Sequence, residues 1–287
     1  MRIIYMGTPE FAAIALAAIV KEHEVAAVVT QPDKPQGRNR KLVPTPVKVK
    51  AQEYAIPVYQ PEKVREAEMV ETLRSYKPDA IVVAAYGQIL PESILSIPPY
   101  GCINIHASLL PKYRGAAPIE RAIIDGETVT GVTTMYMEKG LDTGDMIDKV
   151  EVVITPEDTG ATLHDKLAEA GAALILETLT KLENHTATRT KQDDAQSCYA
   201  SMLSKEMGRM DFAKSAEELE RLIRGLNPWP CAYTEIDGKN VKIYKAKVIA
   251  MDDAYKTQAQ GKVEQTLTFA PGEIVEVAKK YFVIACG

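Results

Sequence analysis

The segment that decides the fold is residues 3–19, which read IIYMGTPEFAAIALAAI. Its first four residues form a continuous apolar run, which is typical of a strand that is buried on both faces. Gly7 ends that run, and Pro9 suits the first position of a helix, where the N–H that proline lacks would be unpaired anyway. Apolar side chains then recur at about helical spacing over residues 11–19. The segment therefore predicts a β-strand that leads directly into an α-helix.

The same alternation continues through the first half of the chain. By the same criteria, apolar runs predict three further strands, at 25–29, 80–85 and 102–105. Helical patterns predict two further helices, at 62–76 and 116–124. Apolar strands that are separated by helices form a parallel sheet that is covered on both faces. The sequence thus predicts an α/β, Rossmann-like domain with a mostly parallel sheet.

The pattern changes after Gly131. Two strands around a turn are predicted at 132–137 and 146–154, as an antiparallel addition to the sheet, and a long amphipathic helix at 161–182. Residues 184–206 are polar and lack apolar periodicity, so we interpret them as a linker. A short helix is expected at 216–224. The remaining runs predict a small OB-like β-barrel with strands at 232–236, 241–249, 273–277 and 281–286. We therefore expect a domain at 1–183, the linker, and a second domain at 207–287.

Composition and charge exclude several classes of protein. The chain has 287 residues, of which 46% are hydrophobic and 25% charged, as in soluble globular proteins and unlike disordered or collagen-like chains. Because the formal net charge is −5, any contact with nucleic acid requires a local basic patch. The four cysteines form no CxxC pair, so no metal site is predicted. No signal peptide and no run of 18 apolar residues is found, and we expect a cytoplasmic protein that does not span a membrane.

The first strand-to-helix turn argues against a nicotinamide cofactor. The dinucleotide-binding fingerprint requires several glycines, so that the backbone approaches the pyrophosphate closely. Here Gly7 is the only glycine of the turn, Pro9 removes an amide donor, and Glu10 places an acidic side chain near the expected phosphate position. We interpret the turn as a connection without a cofactor.

Chemically reactive side chains concentrate on the strand predicted at 102–105. Because residues two apart on a strand share a face, Asn104 and His106 project together. At the carboxyl end of a parallel strand they lie where open α/β sheets bind ligands. An amide and an imidazole can stabilise an oxyanion and move a proton, and Asp142 could orient the imidazole. From the strand alone, a histidine that serves only the local turn remains an equally good interpretation.

Several motifs carry a family resemblance. Residues 104–111 read NIHASLLP, 113–118 read YRGAAP and 140–146 read GLDTGDM; shorter matches are TPEF at 8–11, QPDKP at 31–35, AYG at 85–87 and NPWP at 227–230. Together they resemble the folate-dependent formyltransferases, and among them the members that formylate methionyl-tRNA. The resemblance spans almost the whole chain. The set of Asn104, His106 and Asp142 is common to the wider superfamily and implies only the reaction, whereas the basic segment and the C-terminal domain are more specific.

The resemblance implies transfer of a formyl group from 10-formyltetrahydrofolate to the α-amino group of methionyl initiator tRNA. The amine attacks the formyl carbon, and negative charge develops on the formyl oxygen. Asn104 and a protonated His106 are expected to donate hydrogen bonds to that oxygen. Asp142 is expected to stabilise the imidazolium and to help remove the amine proton, and no metal takes part.

The resemblance also implies a folate site. The pterin is expected against the backbone of residues 85–90 and beside Asp142, and the folate entry along residues 108–111. The residues assigned in this way are Ala85, Tyr86, Gly87, Gln88, Ile89, Leu90, Ser108, Leu109, Leu110, Pro111 and Asp142. From the residues alone, packing of a loop is the simpler account of Leu109, Leu110 and Pro111.

Residues 31–50 carry a local excess of positive charge. Six Lys and Arg stand against Asp33 alone, a balance of +5 in an otherwise acidic chain. Four prolines disfavour helix and strand, so an exposed loop is predicted. Such a loop can bind phosphates, although charge alone is equally consistent with a solvated loop. The resemblance implies that it enters the acceptor end of the tRNA through Lys34, Arg38, Arg40 and Lys41, with Arg38 sensing the weak first base pair.

The C-terminal domain is nearly neutral, with 13 Lys and Arg against 12 Asp and Glu in residues 205–287. Its positive groups must therefore cluster if they are to bind tRNA. On the strand predicted at 241–249, Lys245 and Lys247 are expected to share a face and to contact tRNA. The family continues beyond the last predicted strand, so the barrel is expected to be incomplete at Gly287.

Two rival functions differ in the acceptor or in class. The first keeps the chemistry and transfers the formyl group to a small amine, an amino-sugar nucleotide or a glycinamide ribonucleotide, but such an acceptor needs neither the basic segment nor a second domain. The second is a non-catalytic RNA-binding module, which has no use for Asn104, His106 and Asp142 together. The resemblance further implies a monomer in the bacterial cytoplasm.

Overall fold

The structure, a computed structural model, describes residues 1–36, 41–249 and 269–287. Its contacts divide the chain into two compact units. Unit 1 comprises Met1–Ile119, Thr128–Thr155 and Thr162–Met202, and unit 2 comprises Glu120–Glu127, Pro156–Ala161 and Leu203–Gly287. Two helices, α5 (Pro118–Ile124) and α6 (Gly160–Glu183), include residues of both units.

Unit 1 is built around strands that alternate with helices. Its strands are β1 (Arg2–Gly7), β2 (Glu24–Val29), β3 (Lys34–Gln36), β4 (Lys41–Val43), β5 (Val58–Tyr59), β6 (Ala80–Ala84), β7 (Cys102–His106), β8 (Arg114–Gly115), β9 (Val129–Tyr136), β10 (Met146–Val153) and β11 (Tyr199–Ala200). Its remaining helices are α1 (Glu10–Ile19), α2 (Pro46–Glu53), α3 (Ala67–Ser75), α4 (Glu92–Leu95) and a 3₁₀ turn at Asp194–Gln196.

Seven strands form the main sheet, in the order β10-β9-β7-β6-β1-β2-β5. The five strands from β7 to β5 are mutually parallel, and β9 and β10 extend the sheet in antiparallel fashion beyond β7. The chain runs outward from β1 through β2 to β5 and then returns to β6 on the other side of β1. This reversal of direction is the topological switch point at which open α/β sheets bind ligands. The predicted α/β sheet, with its antiparallel addition, is confirmed.

Helices cover both faces of the sheet. On one face, Ile4 and Met6 of β1 pack with α3 and α4 in a buried apolar cluster. On the other face, the Tyr5 hydroxyl donates to the Ala12 carbonyl of α1 (2.6 Å). Both positions of the alternation are therefore apolar in β1, as the prediction of a strand buried on both faces required. The last residue of this strand is a glycine, and a Cβ at Gly7 would lie 2.6 Å from the Ala12 Cβ, so the close approach of α1 to the strand requires glycine there.

The basic segment at 31–50 is more ordered than an exposed loop, and that prediction is wrong for its described part. β3 and β4 pair as an antiparallel hairpin. Residues 46–50 begin α2, because Pro46 occupies the first turn, where proline is tolerated, and the Thr45 hydroxyl caps the helix by accepting the Lys48 N–H (3.1 Å). Residues 37–40, which include Arg38 and Arg40, lie outside the described residues.

The helix predicted at 62–76 begins five residues late, at Ala67. The preceding residues are held by another interaction, since the buried Val64 donates its N–H to the Gln88 side chain (2.8 Å). The linker expected at 184–206 also differs from the structure. Its first part, to Met202, packs within unit 1, where β11 pairs with β8 and Gln192 is buried.

Unit 2 combines a helix with two hairpins in its described part. Its elements are α7 (Ala216–Gly225), a 3₁₀ turn at Glu206–Gly208, and the strands β12 (Ala232–Ile236), β13 (Lys239–Ile243), β14 (Ile274–Val277) and β15 (Phe282–Ile284). β12 pairs with β13, and β14 with β15. The Arg224 side chain of α7 donates to the Asp158 carbonyl (2.8 Å), which fastens α7 to the 156–161 stretch of this unit. A closed barrel is not formed by the strands at 203–249 and 269–287, and the predicted barrel extends into residues 250–268, outside the described chain.

The strand predicted at 241–249 ends early, at Ile243. Its partner strand begins at Ala232, which pairs with Ile243. The residue before that strand, Cys231, adopts a φ of 73° and follows Pro230, so β12 cannot extend backwards to pair with later residues. Lys245 and Lys247 are exposed but lie beyond the strand, and the prediction that alternation on a strand gives them a common face is wrong.

We expect Gly131→Ala to destabilise unit 1. A Cβ on Gly131 of β9 would lie 2.0 Å from the Val150 carbonyl oxygen of β10, and backbone can relieve that contact only by disturbing the strand pair. The expected loss is about 1–3 kcal/mol in the free energy of unfolding, seen as a lower midpoint in urea. Val153→Ala on the same strand pair is the control, because that side chain is 63% exposed and its loss should shift the midpoint little. A Gly131→Ala midpoint equal to that of the control would contradict this reading of the strand pair.

Candidate active site

Two polar side chains lie on one face of β7, where that strand ends. Asn104 and His106 are 8% and 6% exposed. The intervening Ile105 points to the opposite face, where its Cγ2 lies 3.1 Å from the position of a Cβ on Gly171 of α6. Pairing of Val83 with Asn104 brings the carboxyl end of β6 beside these side chains, and β6 is the strand that borders the switch point of the sheet.

Asp142 reaches both of these side chains from the turn between β9 and β10. Its Oδ1 accepts a hydrogen bond from Asn104 Nδ2 (3.4 Å), and its Oδ2 lies 3.7 Å from His106 Nδ1. The Gly115 N–H also donates to Oδ2 (2.9 Å). Asp142 has a φ of 52°, in the left-handed region that few side chains favour. The structure thus brings together the three residues that the sequence singled out.

The hydrogen bonding of His106 defines its tautomer. Nε2 lies 2.8 Å from the Tyr113 carbonyl oxygen. Since a carbonyl only accepts, Nε2 carries the hydrogen, and Nδ1 is the nitrogen that faces Asp142. The neutral ring can accept a proton at Nδ1, and a carboxylate at 3.7 Å stabilises the charge that results. The imidazole therefore has one nitrogen fixed to backbone and one available for chemistry.

The segment after β6, residues 85–90, alternates between buried and exposed side chains. Tyr86 and Leu90 are buried, whereas Ala85, Gly87 and Ile89 are exposed. Burial raises the pKa of the Tyr86 phenol to about 12. Its carbonyl accepts hydrogen bonds from the Thr8 hydroxyl (2.9 Å) and the Gln31 side chain (3.1 Å). Tyr86 thus anchors the segment, and the residues on either side of it, Ala85 and Gly87, are exposed to solvent.

Gln88 is committed to the local structure. Besides accepting the Val64 N–H, it donates from Nε2 to the Pro61 carbonyl (3.2 Å). Of the six predicted folate contacts in this segment, only Ala85, Gly87 and Ile89 are exposed residues.

The second predicted folate segment, residues 108–111, is fixed by buried side chains and by hydrogen bonds to the neighbouring strands. Ser108 and Leu110 are fully buried, and the Thr133 hydroxyl joins them by donating to the Ser108 carbonyl (2.7 Å) and accepting the Leu110 N–H (3.1 Å). Lys149 donates to the Leu110 carbonyl, and partial burial lowers the pKa of its ammonium group. Leu109 and Pro111 are half-buried, so this segment presents them, rather than Ser108 and Leu110, to the surface.

The basic segment divides into paired and exposed cations. Lys48 pairs with Asp33 (2.6 Å) and Lys50 with Glu53 (2.7 Å). Hydrogen bonds from Lys48 and then Gln60 hold the pKa of the Asp33 carboxyl below its usual range. Lys34 and Lys41 are exposed on the β3–β4 hairpin. The cationic surface predicted from composition is therefore smaller in the described part than the six charges suggested.

Sequence reasoning missed the residues that support this site. Tyr113 provides the carbonyl for His106, and Gln192 donates from Nε2 to the Asp142 and Gly144 carbonyls (2.8 Å each). Tyr113 acts through its backbone, which no side-chain pattern marks, and Gln192 lies in the polar stretch interpreted as a linker. Within 1–36, 41–249 and 269–287, no group of three or more His, Cys, Asp or Glu is placed to hold a metal, and no helix is long and apolar enough to cross a membrane.

Comparison with known proteins identifies both parts of the chain. The formyl transferase family model matches residues 1–179, and the model of the formyl transferase C-terminal domain matches residues 202–287. The chain is 54% identical, over its full length, to the methionyl-tRNA formyltransferase of Lachnospira eligens, of which it covers 89%. It is 51% identical to that of Geobacter metallireducens, again over its full length and 88% of that protein.

Solved structures agree in fold. The sugar 3N-formyl transferase WlaRD, crystallised with dTDP and 5-N-formyl-THF, superposes with a TM-score of 0.70 at 21% identity, over 100% of this chain and 94% of that one. An N-formyltransferase from Helicobacter canadensis, in complex with folinic acid and dTDP-3-aminofucose, gives 0.68 at 21% identity, over 99% and 95% of the two chains. At this level of identity the likeness concerns the fold alone. The family models and the full-length identities, however, show that this chain belongs to the formyl transferase family, the family of the methionyl-tRNA formyltransferases.

Proposed function

We propose that this chain transfers the formyl group of 10-formyltetrahydrofolate to the α-amino group of methionyl initiator tRNA. The observation that carries the proposal is the convergence of Asn104, His106 and Asp142 at the carboxyl end of β7, with Asp142 within 3.7 Å of both partners. Identity above 50% to methionyl-tRNA formyltransferases supports the choice of acceptor. Residues 1–183 would be the catalytic domain and residues 207–287 the tRNA-binding domain.

Asn104 is proposed to stabilise the transition state. As the amine attacks the formyl carbon, the carbonyl becomes tetrahedral and its oxygen gains negative charge. One Asn104 N–H is directed at Asp142, which leaves the second to donate to that oxygen. Because the side chain is buried and tied to Asp142, its donor is already oriented before the reaction.

His106 and Asp142 are proposed to manage the proton. The amine forms a bond to the formyl carbon, the bond from that carbon to N10 of the folate breaks, the amine loses a proton and the folate nitrogen gains one. Nδ1 of His106 is the ring nitrogen available for this task, as a base when neutral and as a second donor to the oxyanion when protonated. The Asp142 carboxylate stabilises the protonated ring and helps to remove the amine proton.

The folate is proposed to lie along residues 85–90 and 108–111, at the mouth of this site. The exposed Ala85, Gly87 and Ile89 offer surface to the pterin, while Leu109 and Pro111 line the entry. The buried Tyr86 and Leu110 would then hold these two segments in place without contacting the folate. 10-Formyltetrahydrofolate is thus a substrate that supplies the formyl group.

The tRNA is proposed to contact both units. Lys34 and Lys41, on the hairpin that flanks Arg38 and Arg40, supply positive charge for the acceptor end. In unit 2, the exposed Lys245 and Lys247 are candidates for contacts to phosphates. We propose that the protein acts as a monomer in the bacterial cytoplasm.

The acceptor assay tests the proposed function directly. The protein is mixed with 10-formyltetrahydrofolate and, separately, with methionyl initiator tRNA or an amino-sugar nucleotide, and release of tetrahydrofolate is followed by absorbance. We expect turnover with methionyl initiator tRNA and none with the amino-sugar nucleotide. Turnover with the amino-sugar nucleotide and none with the tRNA would assign the chain to the small-amine branch of the chemistry.

Alanine substitution of Asn104, His106 or Asp142 should each lower kcat by ~10² or more, because each removes a group that acts on the transition state. The KM for tRNA should change little. The measurement is steady-state formylation at saturating donor. Asn184→Ala, which removes an exposed amide at the end of α6, is the control. Near-wild-type kcat in all three variants would remove this set from the mechanism.

Lys41→Ala should weaken tRNA binding by loss of one phosphate contact. The slope of log binding constant against log salt should fall by about 1, since one fewer counterion is released. The matched control is Lys50→Ala, because the charge of Lys50 is already paired with Glu53. Equal slopes for the two variants in a filter-binding titration would show that the hairpin does not bind phosphate.

A further inference from the structure

Gln192 is a buried polar side chain in an otherwise exposed stretch. It is 6% exposed, while its neighbours from residue 193 to 196 are exposed. The stretch is fastened at both ends. Thr190 exchanges two backbone hydrogen bonds with Met146 at the start of β10 (2.9 Å each), and Tyr199 and Ala200 pair with β8.

All of the hydrogen-bonding groups of Gln192 are used. Nε2 donates to the carbonyls of Asp142 and Gly144 (2.8 Å each), and Oε1 accepts from Arg114 Nε (2.9 Å). Two carbonyls on one side and a guanidinium on the other leave only one orientation for the amide. A buried amide with every partner satisfied fixes the groups around it, because moving any of them leaves a buried polar atom unpaired.

These partners belong to the two loops that complete the site. The carbonyl of Asp142 is held by Gln192, while its carboxylate meets Asn104 and His106. Arg114 lies between Tyr113, whose carbonyl fixes His106, and Gly115, whose N–H donates to Asp142. Gln192 therefore joins the loop that orients the imidazole to the loop that presents the carboxylate.

The backbone conformation of Asp142 explains why the hydrogen bonds from Gln192 matter to the site. Its φ of 52° lies in the left-handed region, which aspartate tolerates better than most side chains but which still costs free energy relative to ordinary backbone. Gln192 donates to the carbonyls of Asp142 and Gly144, so it stabilises the turn at the residue that has the left-handed backbone conformation. The carboxylate itself is bound by the Gly115 N–H and by Asn104, so Gln192 supplies the separate constraint on the backbone from which that carboxylate projects.

We propose that Gln192 is a positioning residue for the formyl transfer. It acts by holding Asp142 in place and does not contact the substrate. The proposal rests on the proposed function. Since displacement of a catalytic group by about 1 Å can cost ~10²-fold in rate, removal of this link should act on kcat. The residue lies between the stretches that match the two family models, 1–179 and 202–287.

The test is a double-mutant cycle on the full chain. Gln192→Ala should lower kcat by ~10- to 100-fold and leave the KM for the formyl donor within about twofold. Adding Gln192→Ala to Asp142→Ala should cause little further loss, because two residues that act as a unit are not additive. Additive losses, or a Gln192→Ala kcat within twofold of wild type, would overturn the proposal.

A second variant separates hydrogen bonding from packing. Gln192→Glu keeps the shape of the side chain but turns an oxygen, in place of Nε2, toward the two carbonyls. It should lose as much kcat as the alanine variant, and wild-type kcat in Gln192→Glu would overturn the proposal even if Gln192→Ala fails to fold. Gln196→Ala, an exposed glutamine of the same stretch, is the matched control and should retain full activity. Absence of formylation by the wild-type chain would count against the proposed function instead.

Discussion

Parallel strands that pair with one another end at the same edge of their sheet, and the site depends on this constraint. β1, β6 and β7 are neighbours, with Gly7 opposite Ala84 and Val83 opposite Asn104. The loops that follow these strands must therefore emerge together. A strand with two polar side chains on one face is tolerated in so apolar a sheet because Asn104 and His106 lie at that edge, where other loops supply hydrogen-bond partners. The sheet order thus decides where chemistry is possible before any loop is considered.

The edge of the sheet supplies only part of the site. Asp142 comes from the turn between two antiparallel strands, and the carbonyl that orients His106 comes from Tyr113. Neither position is fixed by sheet pairing. Both are fixed by hydrogen bonds from the stretch at 190–200, through Gln192 and the β8–β11 pair. Buried polar groups that are fully satisfied give a loop the rigidity that its own backbone lacks. The geometry of the candidate site therefore depends on several separate segments of unit 1.

The sequence predicted well wherever periodicity carries the signal. β1, β6 and β7 are apolar runs, and the alternation of period two on β7 was sufficient to place Asn104 and His106 on one face. It predicted poorly wherever a single contact decides. Pro46 begins a helix because of the Thr45 cap, and β13 ends at Ile243 because its antiparallel partner begins at the opposite residue, Ala232.

The support for Asp142 left no sequence signal at all, since a lone Gln192 in a polar stretch looks like any surface residue. Its burial follows from contacts with residues 50 positions away in the chain. Residue types in the sequence point to the candidate reacting groups, whereas the groups that hold them in place are seen only in the folded chain.

We propose that the formyl group is transferred at the carboxyl end of β7. The most direct measurement is a crystal structure with a stable 10-formyl folate analogue bound and no acceptor present. We expect the formyl oxygen about 3 Å from Asn104 Nδ2, at hydrogen-bonding distance, with the pterin along residues 85–90. A formyl group bound away from Asn104 and His106, in a complex that remains active with tRNA, would contradict it.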